Sequence, residues 1–177
     1  MHNDVCEILL NEEEIKEICK RLGQQISKDY EGKKLLLVGI LNGSVVFMTD
    51  LLREITIPCQ IDFMAISSYQ GTKSTGAVNF KKDINIDIKD YHVLVVEDIL
   101  ESGRSLDYIV NVLKLREPAS IKLCTLLDKP SNRAVPIEAD YVGAVIPDKF
   151  VIGYGLDYNE LYRNLPYVGV LDPKVYS

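Results

Sequence analysis

Histidine is scarce in this 177-residue chain, and closely spaced cysteine pairs are missing. It contains two histidines, His2 and His92, and four cysteines, Cys6, Cys19, Cys59 and Cys124, with no Cys-x-x-Cys pair among them. A zinc centre or a Cys-His catalytic pair would have to be assembled from very little, so buried free thiols are the expected state. Long apolar runs are missing as well. Leu35–Val38 and Val93–Val96 suit buried strands and are far too short to cross a bilayer, so no membrane association is expected. The first residues, MHNDVCEILLNEEE, lack the basic start, apolar stretch and small-residue cleavage site of a secretory signal, which makes the cytoplasm the expected compartment. Positive charge is also in deficit. A net charge of −6 argues against a nucleic-acid or anionic-membrane partner, because either usually demands a positive field. An anionic small ligand would need local help from backbone amides, lysines, arginines or a metal.

What is present is the material of one soluble domain. Hydrophobic residues make up 47% and charged residues 26%, enough to build one well-buried core over this length, and no internal repeat or linker divides the chain. In NEEEIKEICKRLGQQISKDY, Ile15, Ile18, Leu22 and Ile26 recur at helical spacing behind Asn11, a side chain suited to cap the first turn. Residues 34–40 read as a buried strand, 41–44 (LNGS) as a turn and 45–55 as a helix. The next strand spans 59–69. It is followed by QGTKSTGAVNFKKDINID, a polar stretch with little periodicity and of a length typical of lids or binding loops. A strand over 91–100, a helix over 103–115, strands over 120–129 and 139–146, and short apolar segments at 150–156 and 167–171 complete the pattern. The order predicts an α/β fold: a parallel twisted sheet flanked by helices, with the strand-rich tail packed at one end. Ligands of such sheets sit at the carboxyl ends of the strands, where residues 41–44, 67–69, 97–105 and 128–129 all fall.

One stretch at such an end, VVEDILESGRSL (95–106), carries chemistry. Glu97 and Asp98 are adjacent carboxylates where a buried strand gives out, an arrangement best tolerated when hydroxyl donors or a cation share them. Just beyond, Ser102, Gly103, Arg104 and Ser105 open a helix, and so offer free N–H groups, the positive end of a dipole, two hydroxyls and a cation to an anion such as phosphate. The plain alternatives are a solvated strand end, an N-cap at Ser102 and a tight turn at Gly103. Together the two halves describe a ligand with a diol and a phosphate a ribose apart.

The run Glu97-Asp98-Ile99-Leu100-Glu101-Ser102-Gly103-Arg104-Ser105 resembles the phosphoribosyl diphosphate signature of the type I phosphoribosyltransferases. Four further segments narrow the resemblance to the hypoxanthine-guanine phosphoribosyltransferases. LNGS is similar to their first active-site loop, SSYQGTKSTG to their mobile second loop, LLDKPSNR to their purine-reading lysine segment, and PDKFVIGYGLDYNELYRNLPYVGV to their C-terminal signature.

The resemblance implies a single domain with a small hood formed by N- and C-terminal segments, and an enzyme that transfers ribose 5-phosphate to purine N9 with Mg²⁺ present. It implies that Glu97 and Asp98 hold the ribose hydroxyls and the metal, that residues Glu101 to Ser105 cradle the 5-phosphate, and that Leu41, Asn42, Gly43 and Arg163 grip the diphosphate. The peptide before that loop's glycine can be cis in the family. Phe150 would stack on the purine, Lys129 would donate to its 6-oxygen, and backbone near Val151 and Asp157 would read the ring edge. Asp157 would also help hold a second Mg²⁺. Ser68 and Tyr69 would begin the loop that closes over the reaction and excludes water. The partners implied are phosphoribosyl diphosphate, hypoxanthine and guanine, and the assembly a homodimer or homotetramer.

Two positions depart from the pattern. Glu101 stands where the family usually has aspartate facing purine N7, keeping the charge and adding a methylene. Asn42 replaces a cation common in relatives, which is expected to weaken the grip on diphosphate. Two other readings compete: a regulator of the same fold that senses phosphoribosyl diphosphate, and a phospho-receiver domain. The acidic balance and the Lys129, Phe150 and Asp157 set speak against the first, and the Ser-Gly-x-Ser nest is unexplained by the second.

Overall fold

The computed structural model describes residues 2–67 and 79–176. Among the described residues, nine strands form two sheets, accompanied by three α-helices. The larger has six strands in the order β4-β3-β2-β5-β6-β7, formed by β2 (Leu35–Ile40), β3 (Cys59–Ser67), β4 (Asn79–Lys82), β5 (His92–Leu100), β6 (Ser120–Asp128) and β7 (Tyr141–Val145). Pairing is parallel throughout except for β4, which runs antiparallel to β3 at the edge. The smaller sheet, β1 (Val5–Leu10), β9 (Val168–Leu171) and β8 (Val151–Ile152), is the expected hood, built from both ends of the chain.

Side-chain alternation explains the layering. In β2, Leu35 and Leu37 point to one face, and Leu36, Val38 and Ile40 to the other; in β5, Leu94 and Val96 oppose Val93 and Val95. The first face is covered by α1 (Glu12–Asp29) and α2 (Val45–Glu54), the second by α3 (Arg104–Lys114) together with Ile84 and Ile88. A strand buried on both faces needs an uninterrupted apolar run, which is why LLLVGI and VLVV carry no polar residue.

Helix α1 starts as the sequence implies. The Asn11 side chain accepts from the Glu14 N–H, and the Glu14 carboxylate accepts from the Asn11 N–H, forming a capping box. At α3 the capping residue is Gly103, at φ 78°, rather than Ser102. Three other expectations shift. The long polar stretch after β3 contains a short strand, β4, held by Asp62, which accepts from Lys82 Nζ at 2.9 Å and from the Asn85 N–H at 2.7 Å. The segment 150–156 is extended only at Val151–Ile152, because Gly153, Tyr154 and Gly155 take left-handed backbone angles and turn the chain. Among the cysteines, Cys19 and Cys124 are buried, Cys59 is half-buried and Cys6 is exposed; none forms a disulfide. No helix among the described residues is long and apolar enough to cross a membrane.

Candidate active site

The carboxyl ends of β2, β5 and β6 converge on one cleft. At the end of β2 the chain turns through Leu41–Asn42–Gly43, and the Leu41–Asn42 peptide is cis. Ser44 is buried, and its Oγ donates to the Ile40 carbonyl at 2.7 Å, so α2 begins directly behind the loop. Asn42 is exposed. The loop lies hard against β5: a Cβ on Gly43 would come within 1.8 Å of Asp98 Oδ2, so only glycine fits there.

Asp98 is 8% exposed and its Oδ1 accepts from the Ile99 N–H at 2.7 Å; Glu97 Oε1 accepts from the Asp98 N–H at 3.1 Å. Burial, and then the neighbouring Asp98 charge, push the Glu97 carboxyl well above the usual carboxylate range. Burial pushes Asp98 up as well, against its own hydrogen bonds and the Arg163 charge. Neither has an ion-pair partner among the described residues. Two such groups favour a guest that brings hydroxyl donors or positive charge. No group of three or more His, Cys, Asp or Glu that could hold a metal ion by itself occurs among the described residues.

Below the pair, residues Glu97 to Gly103, with Ser105 and Leu106, line a cavity of about 210 Å³. Gly103 gives the turn from β5 into α3 its left-handed angle, and its missing side chain leaves Ile137 and Val135 room to pack. Ser105 and Arg104 are exposed at the helix start, where first-turn N–H groups lack intrahelical partners.

Lys129 follows the end of β6 and is 3% exposed. Its ammonium pairs with Glu101, donates to the Lys149 carbonyl at 2.8 Å and lies 3.7 Å from Asp148 Oδ1. Glu101 and Lys129, well separated in the sequence, thus meet across the cleft. Arg133, quoted above only as the last letter of a motif, ties the same two loops together. Its Nη1 donates to the carbonyls of Leu100 (3.1 Å) and Glu101 (2.6 Å), and its Nη2 binds the Asp128 carboxylate.

The hood supplies the remaining side chains. Phe150 is 42% exposed and packs edge-on to Tyr158 (ring centroids 5.7 Å) and tilted against Tyr176 (5.3 Å). The two tyrosines are neighbours that no spacing in the sequence pointed to. Val151 is buried in β8. Asp157 and Arg163 form an ion pair at 3.0 Å; Arg163 also donates to the Gly155 carbonyl at 2.8 Å and to Glu160 Oε2 at 3.0 Å. Ser68 and Tyr69 lie outside the described residues. The structure therefore brings Gly43 to Asp98 and Glu101 to Lys129, two pairs drawn from segments distant in sequence, and pairs Asp157 with Arg163 within the hood.

Comparison with known proteins points to one family. Residues 6–159 match the model of the phosphoribosyl transferase domain. The hypoxanthine-guanine phosphoribosyltransferase of Staphylococcus aureus strain Mu50 is 56% identical, over 100% of this chain and 99% of its own length. A crystal structure of a hypoxanthine phosphoribosyltransferase from Staphylococcus aureus superposes with a TM-score of 0.96 at 56% identity, covering 100% of this chain and 97% of that one. A hypoxanthine-guanine phosphoribosyltransferase from Bacillus anthracis superposes with a TM-score of 0.88 at 42% identity, covering 94% and 97%. The chain belongs to the phosphoribosyl transferase family, and within it to the hypoxanthine-guanine phosphoribosyltransferases.

Proposed function

We propose that this protein moves the 5-phosphoribosyl group from phosphoribosyl diphosphate to N9 of hypoxanthine or guanine, giving IMP or GMP and diphosphate, as a cytoplasmic enzyme of purine salvage. The observation that carries the reading is the buried Lys129 ammonium set beside the Glu101 carboxylate, which itself lines the cavity at the start of α3. A donor and an acceptor side by side match the 6-oxygen and the adjacent N7 of a 6-oxopurine. A 6-amino group would instead present a donor to the lysine.

Carbon 1 of the ribose gains positive charge as diphosphate leaves, so the site has to steady charge of both signs. In this reading Glu97 and Asp98 hold the ribose hydroxyls and lie under the developing cation, while the Glu101–Ser105 backbone, with Arg104, carries the 5-phosphate. Leu41, Asn42, Gly43 and Arg163 receive the diphosphate. Phe150 stacks on the base, backbone at Val151 and Asp157 reads its edge, and Glu101 accepts a hydrogen bond or proton at N7. The segment beginning at Ser68 and Tyr69 closes to exclude water, which would otherwise capture the ribosyl cation.

The carboxylate pair without a cation partner fits Mg²⁺, which Glu97 and Asp98 would hold beside the ribose and Asp157 would hold near the diphosphate. When bound, the metal neutralises charge on the diphosphate leaving group. A homodimer or homotetramer completes the proposal.

Incubation with phosphoribosyl diphosphate, Mg²⁺ and each of hypoxanthine, guanine, xanthine and adenine tests the reading. IMP and GMP should form and AMP should not; absence of product with every base would overturn it.

A further inference from the structure

Three consecutive residues of the hood, Gly153, Tyr154 and Gly155, have left-handed backbone angles (φ 93°, 50° and 100°). The turn they make bears directly on the diphosphate loop, since a Cβ on Gly155 would come within 2.1 Å of the Gly43 carbonyl oxygen. On its other side it is laced to the segment bearing Arg163. The Tyr154 N–H donates to the Leu165 carbonyl at 2.8 Å, the Gly155 N–H to the Arg163 carbonyl at 3.0 Å, and Arg163 Nη1 back to the Gly155 carbonyl at 2.8 Å. Two groups that receive diphosphate in the proposed reaction therefore meet through one three-residue turn.

The turn is anchored by its middle side chain. Tyr154 is 5% exposed, and its hydroxyl donates to Asp50 Oδ2 at 2.6 Å with Cys19 Sγ 3.7 Å away. Asp50 sits on α2, the helix that follows Gly43 by a single residue. A cavity of about 580 Å³, lined by Val46, Asp50, Tyr154, Arg163 and Leu165 among others, opens beside the ring. The ring packs within the main core, and the hydrogen bond fixes its hydroxyl end against α2. Burial and the Asp50 hydrogen bond push the Tyr154 hydroxyl far up, so it remains a donor throughout the working pH range.

We propose that Tyr154 and Asp50 are positioning residues for the leaving diphosphate: their hydrogen bond holds the 153–155 turn against α2 and thereby sets Arg163 relative to the Leu41–Gly43 loop. The inference rests on the transferase reading above.

The test is a double-mutant cycle on Tyr154→Phe and Asp50→Ala, read by calorimetric binding of magnesium diphosphate and by KM for each substrate. Each single variant should weaken diphosphate binding about three- to tenfold, as loss of one hydrogen bond to a charged acceptor allows, and raise KM for phosphoribosyl diphosphate by a similar factor. KM for hypoxanthine should move less than twofold. The double variant should be no worse than either single one, and Asp50→Asn, which keeps an acceptor oxygen, should recover most of the loss. Unchanged diphosphate affinity in both single variants, or an equal rise in both KM values, would overturn the proposal. Failure of the wild-type protein to make nucleotide would sink the transferase reading instead. Diphosphate binding needs no turnover and still decides the role of Tyr154 and Asp50.

Discussion

Lys129 and Glu101 neutralise each other across the cleft, and the Lys149 carbonyl accepts from the same ammonium, with Asp148 Oδ1 3.7 Å away. A lysine has three donors, and a purine 6-oxygen would compete with these acceptors for the ammonium. Glu101, half-exposed on a long side chain, is the acceptor best able to withdraw. Glu101→Asp, one methylene shorter, should hold the lysine less firmly and lower KM for hypoxanthine by about two- to fivefold, within what a solvent-facing pair contributes. Steady-state kinetics with saturating phosphoribosyl diphosphate checks this; a rise in KM would mean that the longer side chain assists base binding.

Lys129→Met keeps the length and removes the charge. With its partner gone, Glu101 can hydrate, so the fold should survive and the effect should fall on the base. A charged hydrogen bond is worth about 1.5–3 kcal/mol, which predicts a loss of about 10- to 100-fold in kcat/KM for hypoxanthine and guanine, with little change in adenine use. Equal activity of wild type and variant toward hypoxanthine would remove Lys129 from the base site.

Gly43→Ala places a methyl group where Asp98 Oδ2 already lies, at 1.8 Å. Loop or carboxylate must shift. Overpacking of this kind costs about 1–3 kcal/mol, a few degrees in Tm for a chain of this size, and it disturbs at once the groups proposed to hold ribose and diphosphate. Turnover at fixed phosphoribosyl diphosphate should fall at least about tenfold while the far-ultraviolet circular dichroism stays that of the wild type. A variant with wild-type KM would show that the loop has room the structure does not reveal.

Acid should weaken the edge strand. Burial alone would raise the Asp62 carboxyl, but Lys82 and the N–H groups of Asn85 and Phe63 outweigh it, so the folded state holds Asp62 below its ordinary value. A group with a depressed folded pKa stabilises fully above the unfolded value, near 3.9, and the benefit is lost as pH falls through the folded one. Wild-type Tm should therefore drop more steeply than that of Asp62→Asn below about pH 4. Parallel curves would mean that the Asp62–Lys82 contact contributes no pH-dependent stability.

The core of the fold was readable because burial on two faces writes continuous apolar runs, as at Leu35–Val38 and Val93–Val96, and because one short segment, Glu97–Ser105, carries both an acid pair and a helix start. Less legible were β1 and β4. Residues 5–10 show no two-period pattern and are extended only because β9 pairs with them, and Asn79–Lys82 is a polar strand fixed by Asp62. Arg133, Tyr158, Tyr176 and the Tyr154–Asp50 bond were invisible for a related reason. Periodicity tells which face a side chain occupies; it is silent on which distant carbonyl, ring or carboxylate its last atom meets.

The pairing of Val5–Leu10 with Val168–Leu171 sets an order of events during synthesis. As the chain leaves the ribosome, β2, β5 and β6 can assemble the Glu97–Ser105 turn while β1 still waits for its partner, more than 150 residues downstream. The half of the cleft that bears Phe150, Val151 and Asp157 takes shape only when β9 arrives. A nascent protein thus acquires the sheet half of its cleft well before the hood half, and any release of the chain short of Val168 leaves the first without the second.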